Sequence, residues 1–96
     1  MLKSKLSGYL GLAIRSNSVL FGFDNLKSYK KKVYCVLVSG DVQKKLEQHI
    51  NNLCAERNII VKKLKNNLDD LIKTNNCKVI SIINKNFVVP IMESEE

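Results

Sequence analysis

Six apolar residues run without a break at Val33-Tyr34-Cys35-Val36-Leu37-Val38. A strand with one face in water alternates apolar and polar residues. An unbroken β-branched and aromatic run reads instead as a strand buried on both faces. Such a strand needs helices above and below it. Two further apolar runs follow, Ile59-Ile60-Val61 and Val79-Ile80-Ser81-Ile82-Ile83. Between the first two, Val42, Leu46, Ile50, Leu53 and Cys54 share one helical face out to about Arg57. Between the second and third, Leu68, Leu71 and Ile72 define a shorter helix that Asn66 or Asn67 caps. Strand, helix, strand, helix, strand predicts βαβ units with right-handed crossovers. The expected fold class is α/β: a three-layer α/β/α sandwich around a small, mainly parallel or mixed central sheet.

The segment before this alternation adds two helices and a short strand. Leu2, Leu6, Tyr9, Leu10, Ala13 and Ile14 recur with helical period over about 3–15. Ser16-Asn17-Ser18 breaks the period, Val19-Leu20-Phe21 reads as a brief strand, and Gly22 ends it. Asp24 is the expected N-cap of a second helix running through Leu26 towards Tyr29, closed by Lys30-Lys31-Lys32. Ser39-Gly40-Asp41 turns the chain and caps the next helix. Thr74-Asn75-Asn76 is a polar loop, and Asn84 caps a last turn or helix through Phe87, limited by Pro90 unless that proline lies in the first turn. A chain of 96 residues has room for one core. There is no internal repeat and no low-complexity linker. The expected organisation is a single domain over 1–92 and an acidic tail over 93–96.

The net charge is +7, and the acidic Glu93, Glu95 and Glu96 conceal part of it. Residues 1–92 hold 16 basic and six acidic side chains, a net +10. A basic body suits a polyanionic partner, although a composition rich in Lys, Asn and Ile, of the kind an AT-rich genome produces, supplies part of the excess. No apolar run approaches the roughly 18–20 residues of a membrane span, and the first dozen residues lack the pattern of a secretory signal. Cys35, Cys54 and Cys77 have no metal-ligand spacing and are odd in number, so they read as small buried thiols in a reducing cytoplasm.

Enzyme chemistry finds little support. The sole histidine, His49, sits mid-helix beside Leu46 and Ile50 and reads as a partly buried or boundary residue. The four glycines form neither a phosphate loop nor a dinucleotide fingerprint. Asp69 and Asp70 are adjacent on a helix and diverge by about 100°, so they read as first-turn acids on a helix dipole rather than a metal pair. No cofactor, metal, membrane or small-molecule substrate is expected.

Two segments carry the better case, for nucleic acid. In the first, Gly22, Phe23, Asp24 and Asn25 open a helix. Asn25 can hydrogen-bond base edges and Phe23 and Tyr29 can stack on unpaired bases, while Phe23 can equally pack in the core. Lys27, Lys30, Lys31 and Lys32 supply phosphate contacts, or the run Lys30 to Lys32 forms a solvated helix end. The second segment is the loop Thr74, Asn75, Asn76 and Cys77, just before a sheet strand.

The order of these segments resembles the ribosomal L-seven-Ae superfamily of RNA-binding proteins, above all its short bacterial ribosome-associated members. The resemblance rests on Leu10-Gly11-Leu12-Ala13-Ile14-Arg15 with Gly22 seven residues after the arginine. It continues through the 33–38 strand followed by Ser39-Gly40-Asp41. Leu53-Cys54-Ala55-Glu56-Arg57-Asn58-Ile59 is similar to the family's Leu-Cys-x-x-x-x-Ile/Val, and Asn84-Lys85-Asn86-Phe87 to its Asp-Lys-Gly-Phe. It covers almost the whole chain and implies the same sandwich. It also implies binding of kink-turn or related bulged RNA by a helix start of the form Gly-x-Asn-Glu-x-x-Lys and by the loop before the last strand. These fall on the residues just named.

The chain departs from that pattern at defined places. Asp24, Asn25 and Ser28 stand where the family has Asn, Glu and Lys, and Asp69 and Lys73 replace the glycines of its Leu-Gly-x-x-x-Gly. The expected function is a non-catalytic, cytoplasmic RNA-binding protein acting on structured or ribosomal RNA, with ribosomal proteins as further partners. The alternative is a divergent relative that keeps the sandwich and serves as a ribosome-associated protein scaffold.

Overall fold

The computed structural model describes residues 4–74, 76–94 and 96. In chain order the elements are α1 (Lys5–Arg15), β1 (Val19–Phe21), α2 (Phe23–Ser28), β2 (Cys35–Val38), α3 (Lys44–Arg57), β3 (Ile60–Lys63), α4 (Leu68–Leu71), β4 (Val79–Ile82), a 3-10 turn (Lys85–Phe87) and α5 (Val88–Glu93). The strands form one sheet in the order β1-β4-β2-β3.

The run at 33–38 and the apolar segment interrupted by Ser81 are the two central strands. Every residue of β2 and β4 is buried, whereas the edge strands β1 and β3 are only partly covered. Cys35 and Leu37 of β2, with Ile80 and Ile82 of β4, face Leu6, Leu10 and Ala13 of α1, Leu68 and Leu71 of α4, and Ile91 of α5. Val36, Val38 and Val79 face the opposite way, onto Leu26 of α2 and Ile50 and Cys54 of α3. At about 1.5–3 kcal/mol per buried aliphatic side chain, these two half-cores hold the three layers together.

The sheet is the mixed one of the two forms the sequence allows. Only β2 and β3 run parallel, with Cys35 opposite Ile60 and Val38 opposite Lys63. β4 is antiparallel to both of its neighbours, β1 and β2. Helix length explains the difference. The 14 residues of α3 span about 21 Å and carry the chain back along the sheet before β3. The four residues of α4 span about 6 Å, less than half of a four-residue strand. The chain therefore enters β4 from the end at which it left β3.

Several caps differ from the sequence expectation. Asp24 does not cap α2: Gly22 does, at φ 83° and ψ 163°, so Asp24 already lies in the first turn. Asp41 does not cap α3, which begins at Lys44 after Gln43, because its carboxylate is drawn instead to Ser39 and Lys78. Ser4 caps α1, accepting from the Ser7 N–H at 3.1 Å; the expected first residue of that helix, Lys3, lies outside the described residues. Asparagine in the left-handed region follows both long helices, as Asn17 (φ 56°) after α1 and Asn58 (φ 57°) after α3. Pro90 sits in the first turn of α5, where its missing N–H costs no helical hydrogen bond. No helix among the described residues is long and apolar enough to cross a membrane.

Candidate functional site

The antiparallel pairing of β1 with β4 brings the two candidate segments together. Phe21 lies opposite Ile80, and the Gly22 N–H donates to the Val79 carbonyl at 3.0 Å. The start of α2 therefore abuts the 74–77 loop, and the Gly22 backbone also faces the Cys77 thiol. Gly22 is required for its backbone: its φ and ψ are open to glycine, while a Cβ there would meet nothing within 4 Å.

Asp24 and Asn25 are exposed at this corner. The Asn25 amide donates through Nδ2 to the Phe21 carbonyl at 2.7 Å, which ties the first turn of α2 to the end of β1. Phe23 is half-buried against the core of Leu26, Val36 and Ile50. Its outer edge meets His49, with ring centroids 6.3 Å apart. His49 itself is exposed rather than partly buried, since it lies on the outer face of α3.

The 74–77 loop is organised by a residue that sequence reasoning gave a different role. Asp69 Oδ1 accepts from the Thr74 hydroxyl at 2.6 Å and from the Cys77 N–H at 3.2 Å, and Oδ2 accepts from the Asn76 N–H at 3.1 Å. These contacts, the Thr74 hydroxyl first, hold its carboxyl below the usual range against an opposing desolvation effect. Asp69 thus closes the loop as well as standing in the first turn of α4. Asn76 adopts φ 60°, a conformation asparagine tolerates. Burial pushes the Cys77 thiol up, and its Sγ contacts the Val79 carbonyl at 3.2 Å. Asn75 lies outside the described residues.

Lys78, directly after the loop, forms a 2.6 Å ion pair with Asp41. Asp41 also accepts from the Ser39 hydroxyl, and Ser39 Oγ in turn accepts from the Leu68 N–H at 3.0 Å. The 39–41 turn, α4 and the start of β4 are thereby joined. The ion pair holds the Asp41 carboxyl below its ordinary value and the Lys78 ammonium above its own.

The lysine run is placed elsewhere. Lys30, Lys31 and Lys32 are exposed beside Arg57, Asn58 and Ile59, at the end of the sheet where β2 begins. The α2 start and the 74–77 loop lie at the end where β2 finishes. α2 connects the two ends over its six residues, about 9 Å. Arg57 secures its far terminus, donating to the Leu26 and Lys27 carbonyls at 3.0 and 2.8 Å, so a cation meets the negative end of that helix. Lys27 is exposed on the same helix, and Lys32 Nζ lies 5.0 Å from the Tyr34 ring centroid. The other cysteines, Cys35 and Cys54, are buried thiols; burial pushes Cys35 to about 11 and raises Cys54 as well.

No protein-family profile and no curated protein matches the chain. A solved structure does: a protein with unknown function from Bacillus halodurans C, 23% identical, aligned over 94% of this chain and 95% of that one, with a TM-score of 0.80. The two share the α/β fold around a small mixed sheet.

Proposed function

We propose that this chain is a non-catalytic, cytoplasmic RNA-binding protein that takes structured RNA, kink-turn-like or ribosomal, along α2. The reading is carried by the Gly22–Val79 hydrogen bond, which makes the α2 start and the 74–77 loop one surface. Asn25 and the loop then lie near bases, and Lys27, Lys30, Lys31 and Lys32 follow along α2 to meet phosphates. Exposed Asp24 and the loop-closing Asp69, with Asp41 paired to Lys78, leave the first corner net negative, so phosphate attraction is concentrated at the lysine end. Base contact and phosphate contact would be separated along the helix.

Titration with two RNAs tests this. One is a duplex with a three-nucleotide bulge flanked by sheared G·A pairs; the other is the same duplex without the bulge. Tighter binding of the bulged RNA, weakening with salt, is the expected result. Absence of binding to either at low salt would remove the proposal.

Asp69 favours a second reading. Its carboxylate occupies the amides of Asn76 and Cys77 that a bound base or phosphate would otherwise meet. A relative that kept the sandwich as a ribosome-associated scaffold for proteins would bind both RNAs equally and weakly.

A further inference from the structure

We propose that the turn between β3 and α4 is an oxyanion site for an RNA phosphate, held in the free protein by the carboxylate of Glu96. The Lys65 N–H donates to Glu96 Oε2 at 2.7 Å and the Asn66 N–H donates to Oε1 at 2.6 Å. Two successive backbone amides on the two oxygens of one anion make a fork, the geometry by which backbone nests hold phosphate. These amides precede the Asn67 cap of α4, and the first helical amide, Leu68, is already bonded to Ser39.

The fork is set before any ligand arrives. Gly40 fits so closely under the turn that a Cβ there would lie 2.8 Å from the Lys65 carbonyl oxygen and 3.1 Å from those of Leu64 and Asn66. The Gly40 N–H also donates to the Asn66 carbonyl at 3.0 Å. With the carbonyls turned inward to Gly40, the Lys65 and Asn66 amides point out. A cleft of about 500 Å³ lies over them, lined by Lys62, Lys65, Asn66, Ser94 and Glu96.

The segment that walls the cleft with Ser94 and Glu96 is also held by a lysine. Lys62 Nζ donates to the Met92 and Ser94 carbonyls at 3.2 and 3.1 Å, which fastens the end of α5 to β3. Two amides therefore hold the carboxylate, and the Lys62 ammonium lines the same cleft while holding the carbonyls of Met92 and Ser94. A phosphodiester oxygen pair fits the same donors, with Lys62 and Lys65 beside it. The turn lies at the same end of the sheet as the 74–77 loop, two strand spacings from β4, or about 10 Å. RNA seated on the α2 corner, which this inference takes from the reading above, reaches the turn only by displacing Glu96.

The test uses the full chain and Glu96→Ala, with Glu96→Gln as the variant that keeps shape and loses charge. Backbone amide spectra of the free proteins come first. In Glu96→Ala the Lys65 and Asn66 amide protons move upfield while Ile80 and Ile82 stay in place; if Lys65 and Asn66 do not move, the carboxylate is not seated and the proposal falls. Inorganic phosphate is the second probe. It shifts those two amides saturably in Glu96→Ala at a concentration about five-fold lower than in the unaltered chain, and equal response in both overturns the site. The bulged RNA is the third, bound about five-fold more tightly by Glu96→Ala. Unchanged RNA affinity in a variant that takes phosphate overturns the site's role for RNA and leaves the proposed function standing. Loss of RNA binding by both proteins, with the phosphate response intact, removes the proposed function and leaves an oxyanion site.

Discussion

The Thr74 hydroxyl donates a 2.6 Å hydrogen bond to Asp69 Oδ1, so the loop ahead of β4 closes on a carboxylate carried by α4. Replacing Asp69 by Ala releases the Asn76 and Cys77 amides, and hydrogen exchange there should quicken several-fold while the central strands keep their protection. The acid dependence follows in sign. A carboxyl held low in the folded state contributes stability above the unfolded value of about 3.9 and loses it as pH falls through its folded value. Protection of the loop in the unaltered chain should therefore decline below about pH 4. In Asp69→Ala that acid limb disappears.

Two glycines should resist alanine for different reasons. Gly40→Ala drives a Cβ to 2.8 Å from a backbone oxygen of the β3–α4 turn, which cannot swing aside as a side chain can. Gly22→Ala meets no atom but must hold φ 83°. Each should cost about 1–3 kcal/mol in urea unfolding, with the midpoint lowered and the slope unchanged. The two separate by spectrum: Gly40→Ala moves the Lys65 and Asn66 amides, whereas Gly22→Ala moves those of α2.

The Asp41–Lys78 pair gives stability at intermediate pH and loses it on both sides. Asp41 is lowered, so its contribution is present above the unfolded carboxyl value and disappears in acid. Lys78 is raised, so its contribution is complete below the unfolded value of about 10.4 and is lost as pH rises through the folded one. Unfolding free energy measured across pH should show both limbs shallower in Lys78→Gln. Both side chains keep part of their surface in water, so the change is a small one.

The lysine run should set salt dependence and leave discrimination alone. Replacing Lys30, Lys31 and Lys32 together by Gln would remove up to three of the proposed phosphate contacts. The plot of log affinity against log salt should then flatten by about 2 for RNA, since each contact contributes roughly 0.7–0.9. Bulged and unbulged duplexes should weaken equally. Asn25→Ala, which also removes the tie to the Phe21 carbonyl, should have the opposite profile, reducing the preference for the bulge while the salt dependence stays.

What could be read from the chain follows from how local each cause is. The strands at 35–38 and 79–82 announce themselves because burial on both faces favours apolar residues throughout, with Ser81 the one polar side chain among them. Their relative direction does not, because a central strand has the same composition whether its neighbours run parallel or antiparallel; the length of α4 decides it. β3 continues through Lys62 and Lys63, two residues past its apolar run, because an edge strand can carry charge. The joining of Gly22 to the 74–77 loop depends on that antiparallel pairing and has no local signature. Lys30 follows Asn25 by five residues, yet the helix axis carries it to the other end of the sheet. Asp69 was visible as an acid in a first turn, but its hold on Thr74 and Cys77 needs the loop to fold back over α4. An acid placed shortly before a Thr-Asn-Asn turn was the available hint.

The strand order also constrains how the protein can be made. β1 is the first of these four strands to leave a ribosome, and among the described residues it pairs with β4 alone, through Ile80, Ser81 and Ile82. Val19 to Phe21 must wait, unpaired, while some sixty further residues are synthesised. β2 and β3 can pair sooner, since α3 alone separates them. At about 5–20 residues per second the interval lasts several seconds, long compared with the closure of a local hairpin. A nascent chain halted before Val79 would present β1 and one side of β2 as open edges, the form in which strands from neighbouring chains join. The last of the four strands to be translated therefore completes the middle of the sheet, and with it the surface on which the start of α2 rests.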